Sequence, residues 1–368
     1  MLLRMSSVEI YYLLQVLIGL ALGFHFPIYA LFLERHGLGA EERNQVNAVF
    51  MATIAIFEIP TGIIADVWGR KLSCIASFML MSLTSLIYFQ ATSIREFLIA
   101  EIIGGIAITL SSGAFQAWLE KEMEREEERG VNLQSALSHG HVVTNIARCV
   151  GALVGAYVGS LDISWPWLLM AVAYFAIGIL AMFSMREKWR KRASIPKSAR
   201  HSISILRVSL RHLRRTRVLW FVFAQAGLIV LGTYTINMQW PMFCQLGGMR
   251  QVALGVTTAC WTILLAIGAY GVRNAVPKNA KNRVLQSILL RAQVYVGTVI
   301  VIAGMGISCP SLGITAFLLH EIGRGMLEPL FNPESRRSRD RIFDECIVSN
   351  AAGIAYYRPS ALFALHTS

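Results

Sequence analysis

Ionisable side chains stand inside long apolar stretches of this sequence. The first half of the chain holds Glu58, Glu101 and Arg148, and the second half holds Glu321 and Arg324. A charge inside a lipid bilayer is costly, so residues of this kind usually mark an internal ion pair, a proton path or a bound charged solute. We therefore interpret them as a substrate-binding or ion-relay set.

Within this set, Arg148 is the first candidate for a group that binds the substrate or relays an ion. It lies about ten residues into its apolar segment, which at a rise of about 1.5 Å per residue brings it close to the middle of a bilayer. We expect it to pair with Glu101. That pair would serve either a solute or relay function or a structural one, as a salt bridge that fastens two helices. Glu321 and Arg324 are three apart on one helix face and can neutralise each other.

Uncharged polar residues accompany the ionisable ones on segments expected to line a cavity. Amide side chains can both donate and accept hydrogen bonds, so they suit recognition of a polar organic solute. The residues are Gln15, Asn145, Gln225 and Asn237.

The elements that position these residues are predicted to be transmembrane helices. Hydrophobic residues make up 55% of the chain, charged residues only 15%, and the mean hydropathy is +0.53. A spanning helix needs about 20 mostly apolar residues. The fold class is therefore all-α, a polytopic membrane protein with about ten spans. The predicted spans are 8–33, 44–65, 72–92, 96–119, 138–160, 164–184, 218–243, 250–272, 285–307 and 311–331.

Enzymatic chemistry has no support in the sequence. There is no Gly-x-x-x-x-Gly-Lys-Ser/Thr run to bind a nucleotide, and no His/Cys cluster has metal-ligand spacing. The six cysteines are scattered and imply no disulfide framework. We expect neither a cofactor nor a metal, and we expect a protein that is not an enzyme.

The positive charge is concentrated in one segment, residues 186–217, between the sixth and seventh predicted helices. Such a run can bind nucleic acid, but beside transmembrane helices the positive-inside rule is the simpler explanation. The sequence thus predicts a cytoplasmic central loop, a cytoplasmic N-terminus and no nucleic-acid partner. We expect a multi-pass protein of the cell membrane, plasma or inner.

A short charged turn joins the second and third helices, with the sequence Gly62-Ile-Ile-Ala-Asp66-Val-Trp-Gly69-Arg70-Lys71. The two sides of the basic loop are also alike. Phe26-Pro27-Ile28-Tyr29 ends helix one and Trp240-Pro241-Met242-Phe243 ends helix seven, while Glu101 and Glu321 open similar glycine-containing segments. This order predicts two parallel repeats with a binding site between them.

The turn resembles the loop 2–3 signature of the major facilitator superfamily, and the two-half plan with a basic central loop is similar to that family as well. The resemblance covers about residues 1–331. It implies two six-helix bundles and secondary active transport of a small organic solute by alternating access, with proton or other ion coupling. It also implies a gating role for Gly62, Asp66, Gly69, Arg70 and Lys71, in which Asp66 meets helix eleven.

The expected organisation follows from these features. Residues 1–185 are predicted to form the first bundle, 186–217 a basic cytoplasmic linker, 218–331 a second bundle with four helices, and 332–368 an atypical tail. Because the tail is only weakly apolar, the second bundle is expected to be incomplete. The alternative function is a truncated or non-transporting membrane protein, such as a receptor, scaffold or decayed remnant. We expect a monomer within the lipid bilayer.

Overall fold

The computed structural model describes residues 5–126, 133–187 and 238–275, and every regular element in these ranges is helical. The chain divides into two compact units, Met1–Val208 and Ser209–Ser368. The helices are α1 Ser7–His25, α2 Tyr29–Arg35, α3 Ala40–Trp68, α4 Arg70–Gln90, α5 Ile94–Glu126, α6 Leu133–Leu161, α7 Trp165–Ser184 and α8 Gln251–Ala275.

The first six predicted spans are confirmed. Six helical segments of the described residues are long and apolar enough to cross a membrane. They are Ser7–Arg35, Ala40–Trp68, Arg70–Gln90, Ile94–Arg125, Ser135–Leu161 and Trp165–Ser184. The helix ends are set by local chemistry, as at Ser6, whose hydroxyl accepts from the Glu9 N–H while the Glu9 carboxylate accepts from the Ser6 N–H.

The first span is interrupted, which the prediction of one helix over 8–33 missed. Helix α1 ends at His25, residues 26–28 form a turn, and α2 begins at Tyr29. Pro27 explains the break, because proline has no N–H to donate and its ring clashes with the preceding turn of a helix. Tyr29, the first residue after the break, contacts Tyr88 of α4 and Glu101 of α5.

Contacts between helices fix their relative directions in the first unit. Ser73 bonds the Leu110 carbonyl near the start of α4, and Tyr88 bonds Glu101 near its end, so α4 and α5 are antiparallel. Helices α1 and α6 instead run in the same direction, since Gly19 lies against Thr144 and Phe24 lies against Gly155. These directions agree with six consecutive membrane crossings.

Glycine allows α1 and α6 to pack closely. A Cβ atom added to Gly151 would collide with the Leu20 carbonyl, and one added to Gly155 would collide with Phe24. Small residues at such spacing let helix backbones approach each other in lipid, where dispersion contacts and hydrogen bonds hold helices together. Gly151 and Gly155 of α6 therefore serve close helix packing.

The second unit is described over residues 238–275. Residues 238–246 are helical, and α8 lies where the sequence predicts the span 250–272. Trp240 and Trp261 are buried and meet edge to face, with ring centroids 6.3 Å apart. The predicted spans 285–307 and 311–331 and the tail 332–368 lie outside the described residues, as do most of span 218–243 and all but the first two residues of linker 186–217.

Candidate functional site

Two clusters of interacting residues lie at opposite ends of the helical bundle in the first unit. We call the end that contains Gly69, Arg70 and Lys71 the turn end. We call the end that contains Tyr29, Tyr88, Glu101 and Trp167 the aromatic end. Residues predicted as functional occur at both.

A single residue makes the turn between α3 and α4. Gly69 has φ 105° and ψ 150°, a combination that is essentially restricted to glycine. Helix α3 ends at Trp68 and α4 starts at Arg70, so the reversal needs no longer loop. The tight turn places the first N–H groups of α4 at the surface of the bundle.

Glu187 occupies the start of α4. Its carboxylate accepts hydrogen bonds from the backbone N–H groups of Arg70 and Lys71, both at 3.0 Å. The first N–H groups of a helix lack partners within the helix, and the helix dipole favours an anion there. A carboxylate just after α7 therefore fastens the segment that leaves α7 to the turn.

The side chains of Arg70 and Lys71 also attach the turn to neighbouring helices. The Arg70 guanidinium donates to the Ala117 carbonyl of α5, and Lys71 Nζ donates to the Met182 carbonyl of α7 at 2.7 Å. Trp118 Nε1 donates to the Arg186 carbonyl at 2.8 Å. Helices α4, α5 and α7 are thereby joined at this end. Arg70 also lies in the field of four carboxylates, those of Asp66, Glu120, Glu187 and Glu124.

The other two motif residues face outward from these contacts. Among the described residues, no atom would lie within 4 Å of a Cβ added to Gly62, and Asp66, one helical turn later, is exposed. Both lie on the same face of α3 because residues four apart share a face.

Replacing Gly69 by alanine is expected to destabilise the turn end by at least about 1 kcal/mol, because alanine is strained at this φ and ψ. The new Cβ would also lie 2.8 Å from Glu187 Oε2 and push the carboxylate off α4. Gly37→Ala is the matched control, since Gly37 also has a positive φ but no atom of the described part of the chain lies within 4 Å of the added Cβ. The apparent melting temperatures of both variants in detergent test this prediction. If Gly69→Ala and Gly37→Ala lower the melting temperature equally, Glu187 does not stabilise the turn.

At the aromatic end, Glu101 is held by two tyrosines. It is 7% exposed, and it accepts hydrogen bonds from Tyr29 Oη at 2.7 Å and from Tyr88 Oη. The two hydroxyl oxygens are 3.4 Å apart. A carboxylate buried in a membrane-spanning bundle thus receives two neutral donors. Such an arrangement can hold either a charge or a proton.

Aromatic rings enclose this carboxylate. Tyr88 stacks on Trp167 with ring centroids 4.0 Å apart and planes 8° from parallel. Tyr29 meets the same indole edge to face at 6.0 Å, and His25 lies against it at 4.9 Å. Phe32 contacts both Tyr88 and Trp167. This cluster contains residues from five helices, α1, α2, α4, α5 and α7. Movement of any of these helices would therefore change the surroundings of Glu101.

The expectation that Arg148 pairs with Glu101 is wrong, because the hydrogen bonds to Glu101 come from the tyrosine pair. Arg148 instead exerts its charge on His25 and Tyr174. The reason is helix geometry. The close glycine contact sets Arg148 of α6 against α1 at the level of Gly23, whereas Glu101 of α5 faces α4 and Tyr29.

The remaining predicted residues are placed as follows. Gln15 donates to Tyr11 Oη at 2.7 Å and accepts from Thr144 Oγ1 at 3.0 Å, which ties α1 to α6. Glu58 of α3 accepts from Ser112 of α5 at 3.2 Å. Asn145 is exposed. Gln225, Asn237, Glu321 and Arg324 lie outside the described residues.

Sequence reasoning did not select Tyr88, Trp167 or Glu187. Aromatic residues within an apolar segment usually contribute packing, and no pattern separates Tyr88 from its neighbours. Glu187 did carry a signal, because it is the one acid within the basic run after α7. A lone acid beside a helix end is a helix-capping prediction that could have been made.

Comparisons of sequence agree with this architecture. Residues 11–333 match the sequence model described as Major Facilitator Superfamily, MFS_1. YxaM, an MFS-type transporter of Bacillus subtilis (strain 168), is 28% identical over 250 residues, which cover 67% of this chain and 61% of YxaM. MJ1560, an MFS-type transporter of Methanocaldococcus jannaschii, is 25% identical over 124 residues, which cover 33% of this chain and 32% of MJ1560. The chain thus spans less than two thirds of these relatives.

Solved structures show the same fold. The nucleoside transporter NupG superposes with a TM-score of 0.72 at 13% identity, covering 97% of this chain and 88% of NupG. A D-xylose-proton symporter superposes with a TM-score of 0.66 at 13% identity, covering 97% of this chain and 90% of the symporter. With the family match over most of its length and its membrane-spanning helices, this multi-pass membrane chain belongs to the major facilitator superfamily.

Proposed function

We propose that this protein is a secondary active transporter that moves a small organic solute across the cell membrane by alternating access. The observation that carries the proposal is the buried Glu101, held by Tyr29 and Tyr88 within a bundle of spanning helices. A buried ionisable residue in such a bundle is expensive, and it is usually kept for transport of a solute or an ion.

Proton coupling is part of the proposal. Glu101 is the proposed proton carrier, because two hydroxyl donors stabilise its charged form while the surrounding apolar rings favour its neutral form. The turn end is the proposed gate, in which Gly62 and Asp66 present an open helix face and Glu187 holds the α3–α4 turn in place. The D-xylose-proton symporter shares this fold, which supports the assignment by analogy only.

Uptake into liposomes tests the function directly. The purified chain is reconstituted, a pH gradient is imposed in either direction, and the vesicles are incubated with a small-molecule extract of cells. We expect mass spectrometry to find at least one solute enriched over protein-free vesicles. If the contents of the two kinds of vesicle are the same, the chain is a non-transporting member of the family.

The proposed orientation places the N-terminus and the basic segment 186–217 in the cytoplasm. It rests on the positive-inside rule, since that segment carries most of the excess of Lys and Arg. The turn end would then face the cytoplasm and the aromatic end would face outward. A monomer in the bilayer is the proposed working form.

Labelling of single cysteines in intact cells tests this orientation, in a background from which the native cysteines are removed. An impermeant maleimide should modify a cysteine at Gly39, which is exposed between α2 and α3. A cysteine at Ser198 should react only after the membrane is permeabilised. Reaction at Ser198 in intact cells, with Gly39 protected, would reverse the proposed sides.

A further inference from the structure

Two buried nitrogen atoms at the aromatic end have no hydrogen-bond partner among the described residues. They are Nδ1 of His25 and Nε1 of Trp167. The two rings contact each other with centroids 4.9 Å apart, and Trp167 is only 3% exposed. Buried polar atoms nearly always have a partner, so each exception needs an explanation. Two neighbouring exceptions from α1 and α7 indicate a place where a ligand supplies the partner atoms.

A positive charge lies beside this place. The Arg148 guanidinium acts electrostatically on His25 and on Tyr174, which is buried on α7 two turns after Trp167. The close contact of α6 with α1 places Arg148 at the level of Gly23 along α1, because a Cβ added to Gly23 would lie 2.5 Å from the Arg148 carbonyl oxygen. Arg148 and His25 therefore approach the same region from two helices.

The chemistry of these groups selects the ligand. An indole N–H and a guanidinium can only donate hydrogen bonds, so the ligand must present acceptor oxygens. The nearby carboxylate of Glu101 is engaged by Tyr29 and Tyr88, so it is not the acceptor that Trp167 lacks. A guanidinium binds anionic oxygens more strongly than neutral ones, since charge-assisted hydrogen bonds are about twice as strong.

We propose that His25, Arg148 and Trp167 form a substrate-binding site within the first unit, and that the transported solute is an organic anion. The anionic group of the solute accepts hydrogen bonds from Trp167 and Arg148. His25 supplies a further polar side chain beside them. Aromatic rings, including Tyr29 at 6.0 Å from Trp167, face the apolar part of the solute. This inference rests on the proposed transport function, because it identifies the ligand with the transported solute.

Calorimetric titration of the full chain in nanodiscs of neutral lipid tests the inference without requiring transport. The probe is benzenesulfonate, which stays ionised and joins an anionic group to one ring. Benzenesulfonamide is its neutral counterpart of nearly equal shape, and benzyltrimethylammonium is the cationic control. We expect benzenesulfonate to bind at least about tenfold more tightly than either, as expected for a charge-assisted contact.

Two variants assign the contacts. Arg148→Gln should remove the preference for benzenesulfonate over benzenesulfonamide. Trp167→Phe keeps an aromatic ring but removes the indole donor, and it should weaken benzenesulfonate binding by about fivefold to tenfold. Trp165→Phe is the matched control, because Trp165 lies two residues earlier and is 51% exposed. It should leave binding unchanged.

The outcomes separate the two proposals. Three results would overturn the anion site and leave the transporter proposal standing. They are no binding of benzenesulfonate, equally tight binding of benzenesulfonamide, and binding that neither Arg148→Gln nor Trp167→Phe changes. Binding with the expected preference, together with no enrichment of any solute in the liposome experiment, supports anion binding by these residues but overturns its identification with a transported solute. If Arg148→Gln does not fold, Trp167→Phe alone decides.

Discussion

Replacing Glu101 by glutamine should abolish solute accumulation driven by a pH gradient while leaving exchange of solute between the two sides of the membrane intact. One coupled proton contributes about 1.36 kcal/mol per pH unit, which corresponds to a tenfold accumulation. A gradient of about two units thus supports up to about 100-fold accumulation in the native protein. Glutamine keeps a carbonyl oxygen for one tyrosine hydroxyl but cannot carry the proton, so the variant should reach a ratio near one.

Glu96→Gln is the control on the same helix. Glu96 accepts hydrogen bonds from the backbone N–H groups of Thr92 and Ser93 at the exposed start of α5, one and a half turns before Glu101. This variant should accumulate solute like the native protein. Native-like accumulation by Glu101→Gln would instead show that the coupling proton, or the coupling ion, binds elsewhere.

Replacing Gly155 by alanine should lower the free energy of unfolding by about 1 to 3 kcal/mol, the usual cost of overpacking. The added Cβ would lie 2.5 Å from the Phe24 carbonyl carbon and 2.6 Å from its Cα. Both are backbone atoms, so no side-chain rotation can relieve the contact, and α1 must move away from α6. For a protein of this size we expect a fall of several degrees in the apparent melting temperature in detergent.

Gly113→Ala provides the comparison, because within residues 5–126, 133–187 and 238–275 no atom lies within 4 Å of a Cβ added to Gly113. Gly113 is also in a helix, where alanine is favoured over glycine by about 0.5 to 1 kcal/mol. That variant should be as stable as the native protein or more stable. A Gly155→Ala protein that melts at the native temperature would contradict the close approach of α1 and α6.

The spans of the first unit could be predicted because lipid imposes a simple length rule on apolar segments. The sharp turn at Gly69 was also predictable, since a short charged stretch joined two such segments. The break after His25 was missed, although Pro27 was visible, because hydropathy alone does not register a missing backbone N–H.

The partners of site residues were harder to predict than the residues themselves. Glu101 and Arg148 stand out by charge, but which neighbours they face depends on helix rotation and on the glycine contacts between α1 and α6. Tyr88 and Trp167 could not be singled out because an aromatic residue in an apolar segment usually serves packing. The pairing of Glu101 with two tyrosines therefore emerged only from the folded arrangement.

Counterflow measures alternating access most directly. Liposomes containing the protein are preloaded with an unlabelled solute that accumulates in the uptake experiment, and entry of the labelled solute is followed without any ion gradient. A carrier that exposes one site to each side in turn should show transient accumulation of label, several-fold above that in empty vesicles and faster than in vesicles that are not preloaded. Entry of label that is the same with and without preloading would contradict transport by alternating access.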